Sequence, residues 1–386
     1  MIKLTTVFID DEDLQAVREA LESGYLVQGP RVAAFESALA GYVGSAHAIA
    51  LNSCTSALHL ALLALGAGAG DLVLVAAYSF TATANAVELC GARPVFVDID
   101  PKTFNIDPAR LLTALEAIER AGDLARVRAI LPVHTFGQMA DMREIQAMAD
   151  RFGVPVIEDA ACALGATERG QQAGTFGRLG CFSFHPRKAL TTGEGGAVVT
   201  NDAALARTLR TLRNHGIDPD AAGTDFVRPG FNNRMTEFQA ALGSVQLRRM
   251  ERAIESRRLA AARYAALLEG TVVQPPVVAE GRDSVYQSYV VLLPQGAVAV
   301  RGQVIKRLRE LEVEVSIGTW NIPMTTYYRT TYGYKPEDFP TTASIFARSL
   351  ALPMYQDLSA PDQSRVVGAL FQTLKELGVT VDLASA

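Results

Sequence analysis

Phe182-Ser183-Phe184-His185-Pro186-Arg187-Lys188-Ala189-Leu190-Thr191-Thr192-Gly193-Glu194-Gly195-Gly196 sets a serine, a histidine and a lysine within six residues, then a glycine-rich turn. The residues before the lysine, Leu179–Phe184, and those after the turn, Ala197–Thr200, are apolar and read as strands. A lysine held among small and apolar residues between two strands can be desolvated. Desolvation lowers its pKa and frees the amine as a nucleophile. A surface lysine beside a tight turn is the bland alternative, and the segment alone leaves both open. It is not a Walker loop, because no Gly-Lys-Ser or Gly-Lys-Thr is present.

Working outward, apolar strands alternate with amphipathic helices. Helices are expected over about 11–23 (apolar stripe Leu14, Val17, Ala20, Leu21), after Gly29-Pro30, after Asn52–Ser56, over Phe80–Cys90, Pro108–Arg120, Asp141–Phe152 and Leu205–Leu212. Strands are expected at Ala46–Leu51, Asp71–Ala76, Arg93–Asp98, Val127–Val133 and Val154–Glu158. Continuously apolar strands between such helices imply a mostly parallel sheet covered on both faces, with ligands at the carboxyl ends of its strands. The texture changes after Leu212. Residues 217–231 are loop-rich, a long helix over roughly 236–270 is kinked or broken, and 285–293 and Val313–Ile317 read as strands. Helices follow at Gln303–Glu310 and Pro361–Leu377. The expected organisation is a large α/β domain over residues 1–245 and a smaller α+β domain over 246–386.

Two more segments can carry chemistry. Ile157-Glu158-Asp159-Ala160-Ala161 delivers two carboxylates at the end of a strand. One of them can pair with the protonated ring nitrogen of a cofactor, or serve as a helix cap. Asn52-Ser53-Cys54-Thr55-Ser56 precedes a helix, where free N–H groups and hydroxyls form an anion seat or a plain cap. In order, the three give a phosphate cradle, an aspartate about a hundred residues on and a lysine about thirty after that. This order suits a fold type I enzyme that uses pyridoxal phosphate, or PLP.

Composition excludes other classes. Of 386 residues, 49% are hydrophobic and 20% charged, which excludes a disordered chain. The net charge of −5 gives no basic excess for nucleic acid or an anionic membrane. Residues 48–70 lack Asp, Glu, Lys and Arg, but Asn52, Ser53, Thr55, Ser56 and His59 make them a buried helix rather than a membrane span. Four separated cysteines without a C-x-x-C pair imply neither a metal cluster nor a disulfide framework, and suit a reducing cytoplasm. No signal peptide is read at the start of the chain, where Met1-Ile2-Lys3 leads to Asp10-Asp11-Glu12-Asp13.

Over essentially its whole length the chain resembles the DegT/DnrJ/EryC1 family of nucleotide-sugar aminotransferases. The resemblance is carried by GYLVQGPRVAAFE (24–36), TSALHLALLALGAGAGD (55–71), SFTATANAV (79–87), GARPVFVDIDPKTFNID (91–107), PVHTFGQMADM (132–142), VIEDAACALGA (156–166), FSFHPRKALTTGEGGAVVT (182–200), LRNHG (212–216), GFNNRMTEFQAALGSVQL (230–247) and LPMY (352–355). It implies that Lys188 is the Schiff-base lysine and general acid/base. Asp159 is implied to keep the pyridine nitrogen protonated, and Phe80 to stack on the ring. Thr55, Ser56 and Ser183 are implied to hold the phosphate, and Asn232 to reach the phosphate of a neighbouring subunit. A homodimer with shared active sites follows.

The implied reaction moves an amino group from glutamate to a keto carbon of a nucleotide-linked 4-keto-6-deoxy sugar. Thr191–Gly196 resembles members that act at C4, whereas C3 members more often carry Gly-Asp-Gly-Gly, so a C3-specific enzyme is the alternative. Family dehydratases replace the lysine with histidine. A non-catalytic regulatory or binding protein of the same fold would be expected to have lost Lys188 or Asp159. The chain departs from the family pattern at Cys54, where glycine is usual, and at Cys162, near the ring, where glutamine or histidine is usual. It departs again in Trp320–Met324, which lacks a histidine.

Overall fold

The computed structural model describes residues 1–381. Helix α1 (Asp11–Glu22) begins with a reciprocal capping box between Asp10 and Asp13. Its buried side differs from the expected stripe. Asp13 and Ala20 face inward, while Leu14 and Leu21 are exposed. Arg249 pairs with both Asp10 and Asp13, and Gln246 donates to Asp13 at 3.0 Å, so polar bonds rather than leucine burial fix the helix rotation. Helix α2 (Pro30–Val43) starts on proline, buries Val32, Phe35 and Leu39 along one side, and stops at Gly44 with φ +76°.

The alternating part follows as β1 (His47–Leu51), α3 (Cys54–Ala64), β2 (Leu72–Ala76), α4 (Ala82–Leu89), β3 (Arg93–Val97), α5 (Pro108–Arg120), β4 (Val127–Leu131), α6 (Met142–Phe152), β5 (Ile157–Asp159), β6 (Leu179–Ser183), β7 (Gly196–Thr200) and α7 (Ala203–Arg213). Strands β2 and β7 are buried throughout, as two-sided cover requires. Parallel bridges Ile130–Val156 and Val133–Asp159 join the two halves of the sheet, giving the order β1-β7-β6-β5-β4-β2-β3. All strands run one way except β7, which is antiparallel to both neighbours. Residues 184–195 between β6 and β7 contain no helix, the usual means of a parallel crossover. The chain therefore returns as a hairpin-like excursion, and that excursion carries Lys188.

The remaining elements are α8 (Glu237–Arg248), α9 (Met250–Leu268), β8 (Tyr289–Leu292), α10 (Arg301–Glu310), α11 (Thr326–Tyr332), α12 (Pro340–Arg348), β9 (Ser349–Leu352) and α13 (Ala360–Glu376). The long helix expected over 236–270 is two helices that meet at Arg249. The strand expected at Val313–Ile317 does not form a ladder. Val313 bridges Ile2 and Ser316 bridges Ala351, single contacts to two different partners, so no consecutive pairing develops. Two apolar clusters flank the large sheet, and a third is built from Ile2 and residues between 260 and 381 around the β8–β9 pair.

Glu237, the first residue of α8, ties that helix to the start of α2. Its fully buried carboxylate accepts from the N–H groups of Gly29 (2.7 Å), Arg31 (2.9 Å) and Val32 (2.9 Å), the otherwise unpaired donors that open α2. Glu237→Ala is expected to cost about 3 kcal/mol in urea unfolding, because buried donors lose a charged acceptor. A loss below about 0.5 kcal/mol would contradict that assignment.

Candidate functional site

Strand alternation separates the two carboxylates that end β5. Glu158, 0% exposed, points away from the lysine. It accepts from the N–H groups of Gly174 (2.8 Å), Phe176 (2.7 Å) and Gly177 (2.6 Å) and contacts His134 Nε2 at 2.9 Å. His134 Nδ1 accepts from the Ala140 N–H, so Nε2 carries the proton and donates to Glu158. Glu158 is thus spent on holding the 174–177 loop. Asp159, 4% exposed, faces the other way. Its Oδ2 accepts from Thr83 Oγ1 at 2.8 Å and its Oδ1 from the Ala161 N–H at 3.2 Å. Ser79 lies 3.0 Å behind Thr83, completing a hydroxyl chain to the carboxylate. Burial pushes the Asp159 carboxyl above its ordinary value, against the Thr83 and Ala161 hydrogen bonds and the charge of Lys188.

Lys188 projects from the excursion between β6 and β7. The backbone there is pinned by Phe184, which donates to Gly195 O (2.9 Å) and accepts from Thr192 N (3.0 Å) and Thr191 Oγ1 (3.0 Å). Lys188 N–H closes a turn on His185 O at 2.8 Å. The ammonium donates to Cys162 Sγ at 2.9 Å. Burial pulls the Lys188 ammonium down, while Cys162, Cys54 and Asp159 draw it up, and the net direction is up. Burial, with Asp159 nearby, pushes the Cys54 thiol well up. Lys188 and Asp159 make no ion pair with each other among the described residues. Glu194, in the turn, leaves its carboxylate exposed and contributes through its carbonyl, which accepts from Thr192 Oγ1 (2.7 Å) and Gln239 Nε2 (2.8 Å).

At the start of α3, Ser53 Oγ accepts from the Ser56 N–H at 3.1 Å and lies 3.0 Å from the Ser56 hydroxyl. The N–H groups of Cys54 and Thr55 have no acceptor among the described residues, and Thr55 is exposed. Gly196 abuts this turn so closely that a Cβ there would lie 2.5 Å from the Cys54 nitrogen. The structure thus brings β1's end, β5's end and the Lys188 loop together. Ser183 ends β6 half-buried. Phe80 is 63% exposed, directly after the pair Tyr78–Ser79 that meets Trp320–Asn321. Asn232 stands apart, exposed and bridged through its backbone to Asn214.

The sequence reading assigned no role to Arg234, two residues on. It lines a cavity of about 510 Å³ with Tyr25, Leu26 and Asn214. Arg234 Nε, Gln28 Oε1 and the nearby Asn52 Oδ1 are buried without partners. Its signal in the sequence was only its closeness to Asn232. Among the described residues no helix is long and apolar enough to cross a membrane, and no group of three potential ligands could hold a metal ion.

Comparison with known proteins gives a consistent result. The model of the DegT/DnrJ/EryC1/StrS aminotransferase family matches residues 7–371. The chain is 39% identical over 373 residues to a GDP-perosamine synthase of Caulobacter vibrioides, covering 95% of this chain and 96% of that protein. It is 37% identical over 380 residues to the spore coat polysaccharide biosynthesis protein SpsC of Bacillus subtilis, covering 95% of each. The solved structure of Helicobacter pylori PseC, an aminotransferase involved in the biosynthesis of pseudoaminic acid, superposes with a TM-score of 0.91 at 27% identity. That match covers 97% of this chain and 99% of the other.

The raised carboxyl of Asp159 has a consequence for the cofactor-free protein. A carboxyl whose pKa rises on folding contributes stability below its unfolded value, and that contribution is lost as pH climbs through the folded value. Asn at this position cannot ionise. The melting temperature of cofactor-free Asp159→Asn should therefore gain on that of the parent as pH rises from about 4 to 8. A gap that stays constant or moves the other way would show that Asp159 is not strained by burial.

Proposed function

The chain belongs to the DegT/DnrJ/EryC1/StrS aminotransferase family, and from that premise we propose that it transfers an amino group from glutamate to C4 of a nucleotide-linked 4-keto-6-deoxy sugar, with pyridoxal phosphate as cofactor. The observation that carries this reading is the meeting of Lys188, Asp159 and the open α3 N-terminus at one edge of the sheet. The donor set fits the cofactor. Lys188 is bonded to Cys162, and Asp159 to Thr83 and Ala161, instead of to one another, and unpaired N–H groups wait where a phosphate would need them.

Bound there, pyridoxal phosphate would supply an electron sink for the pair released when a proton leaves the carbon beside the transferred nitrogen. The protein's own groups do the rest. Asp159, ionised opposite a protonated ring nitrogen, holds the proton on that atom. Its orientation is set by Thr83 and Ala161. Lys188 Nζ takes the proton from one carbon and returns it to another in each half of the reaction. The N–H groups of Cys54 and Thr55, with the hydroxyls of Thr55, Ser56 and Ser183, would hold the phosphate, and α3's dipole would favour its charge. Phe80 would cover the ring. Cys162 accepts from Lys188 Nζ here and would contact the bound cofactor.

The choice of C4 rests on Thr191–Gly196. The exposed Glu194 carboxylate makes that turn a backbone brace, so its bearing on C4 is through family likeness. A relative named GDP-perosamine synthase supports a nucleotide-linked substrate. The chain is further read as a large domain over 1–245 and a small one over 246–386; the third apolar cluster supports a separate C-terminal core, and the chain breaks between α8 and α9 at Arg249, just past that boundary. Four free cysteines suit the cytoplasm.

A homodimer completes the reading. Tyr25, Leu26, Val27, Phe226 and Phe231 are exposed near Asn232 in the chain or around the Arg234 cavity, more apolar surface than water tolerates cheaply. A second copy covering them would bring Asn232 to its neighbour's phosphate.

With glutamate and matched 3-keto and 4-keto nucleotide sugars, NMR of the product should place the new amine at C4. Amination of the 3-keto sugar alone would overturn the regiochemistry. Lys188→Ala and Asn232→Ala chains, each inactive alone, should regain activity when subunits are exchanged, because some mixed dimers then carry one intact site. No recovery after proven exchange would reject the shared site.

A further inference from the structure

The side-chain amide of Gln287 straddles the lysine. Its Oε1 accepts from the Ala189 N–H at 3.0 Å, and its Nε2 donates to the Arg187 carbonyl. The peptide groups just before and just after Lys188 are therefore held by one side chain, 100 residues downstream of Arg187. Only an amide offers a donor and an acceptor side by side in this way without a charge.

The segment that presents Gln287 is built for the purpose. Gln287 is 8% exposed and precedes β8, so it serves no ladder. Its own carbonyl accepts from Arg257 at 3.3 Å, and the same guanidinium donates to the carbonyls of Tyr286 (3.3 Å) and Met354 (3.4 Å). Arg257 is 2% exposed and has no carboxylate partner among the described residues. Burial pulls it down to about 10. Keeping a charge there is costly, and what it secures is this stretch of backbone. Tyr286 sits at φ +44°, a strained conformation for a bulky residue, which turns the chain so that the next side chain faces the lysine loop. Gly137, at φ +100°, lets the segment approach. A Cβ there would lie 2.8 Å from the Gln287 nitrogen, and the glycine carbonyl accepts from Val285 N–H at 3.0 Å.

We propose that Gln287 is a positioning residue for amino transfer, clamping the two peptide groups around Lys188 so that Nζ is presented to the reacting carbon at one fixed angle. The inference rests on the reading of Lys188 as the lysine that moves the proton. Proton transfer needs its heavy atoms within about 2.6–3.2 Å, so a tilt of the lysine's backbone weakens it while leaving the substrate pocket in place.

Gln287→Leu removes both bonds at similar volume, and Gln287→Glu keeps only the acceptor at neutral pH. In the cofactor-loaded protein, Gln287→Leu is expected to lower kcat about ten- to hundredfold. The KM for both substrates should stay within about threefold. The pH midpoint of the visible absorbance band, which reports the setting of Lys188, should shift by about half a unit or more. Gln287→Glu should fall between the parent and Gln287→Leu on both readouts, and it decides the matter if the leucine variant does not fold. A folded, loaded variant with kcat within about twofold of the parent and an unmoved midpoint would overturn the proposal. Failure of the underlying reading looks different: the parent itself would then show no band and no amino transfer, and the clamp would fall with it.

Discussion

A buried carboxylate, Asp159, and a half-buried ammonium, Lys188, lie at one edge of a sheet without pairing. Asp159 is satisfied by a hydroxyl and a backbone N–H, and Lys188 by a thiol. A buried carboxylate gains from an opposite charge nearby, since an unpaired buried charge is expensive. The protein instead fixes each group from its own side. In the function proposed above, that arrangement leaves Asp159 free for a cofactor's ring nitrogen and Lys188 free for its carbonyl carbon.

Much of the fold serves that separation. Glu158 takes up the inward side of β5 and locks the 174–177 loop, which leaves Asp159 alone on the site side. The reversed strand β7 returns the chain through a helix-free excursion, and its first residue, Gly196, lets that excursion press against the cradle at α3. Thr191, Thr192 and Gly195 tie the excursion to Phe184. Gln287, anchored by Arg257, grips the backbone on both sides of the lysine from the other half of the chain. Two buried charges, Glu158 and Arg257, are thus spent on backbone at second remove from the chemistry.

The α/β architecture was legible because apolar strands and amphipathic helices have different periods, and the α5 and α6 patterns are strong enough to read directly. Lys188, Asp159 and the Thr55–Ser56 turn were legible as an ordered set, and the structure gathers them at one strand edge. Asp159 rather than Glu158 was named through family likeness, and the physical reason, the pleat that turns Glu158 to the other face of the strand, needed the structure. The α1 stripe was misread because Arg249, more than two hundred residues away, rotates the helix toward Asp13. Val313–Ile317 has strand composition, yet its neighbours offer it one bridge each. Gln287 gave no local signal and Arg234 only its closeness to Asn232, since their value lies in what distant chain brings to them.

The claim on which the rest turns is that Lys188 is the residue that captures the cofactor. Pyridoxal phosphate would be added to the protein, the bond reduced with borohydride, and the digest mapped by mass. The account predicts one cofactor-sized increment on the peptide that holds Lys188, lost in Lys188→Ala. An increment on another lysine, with the Lys188 peptide unmodified, would contradict it.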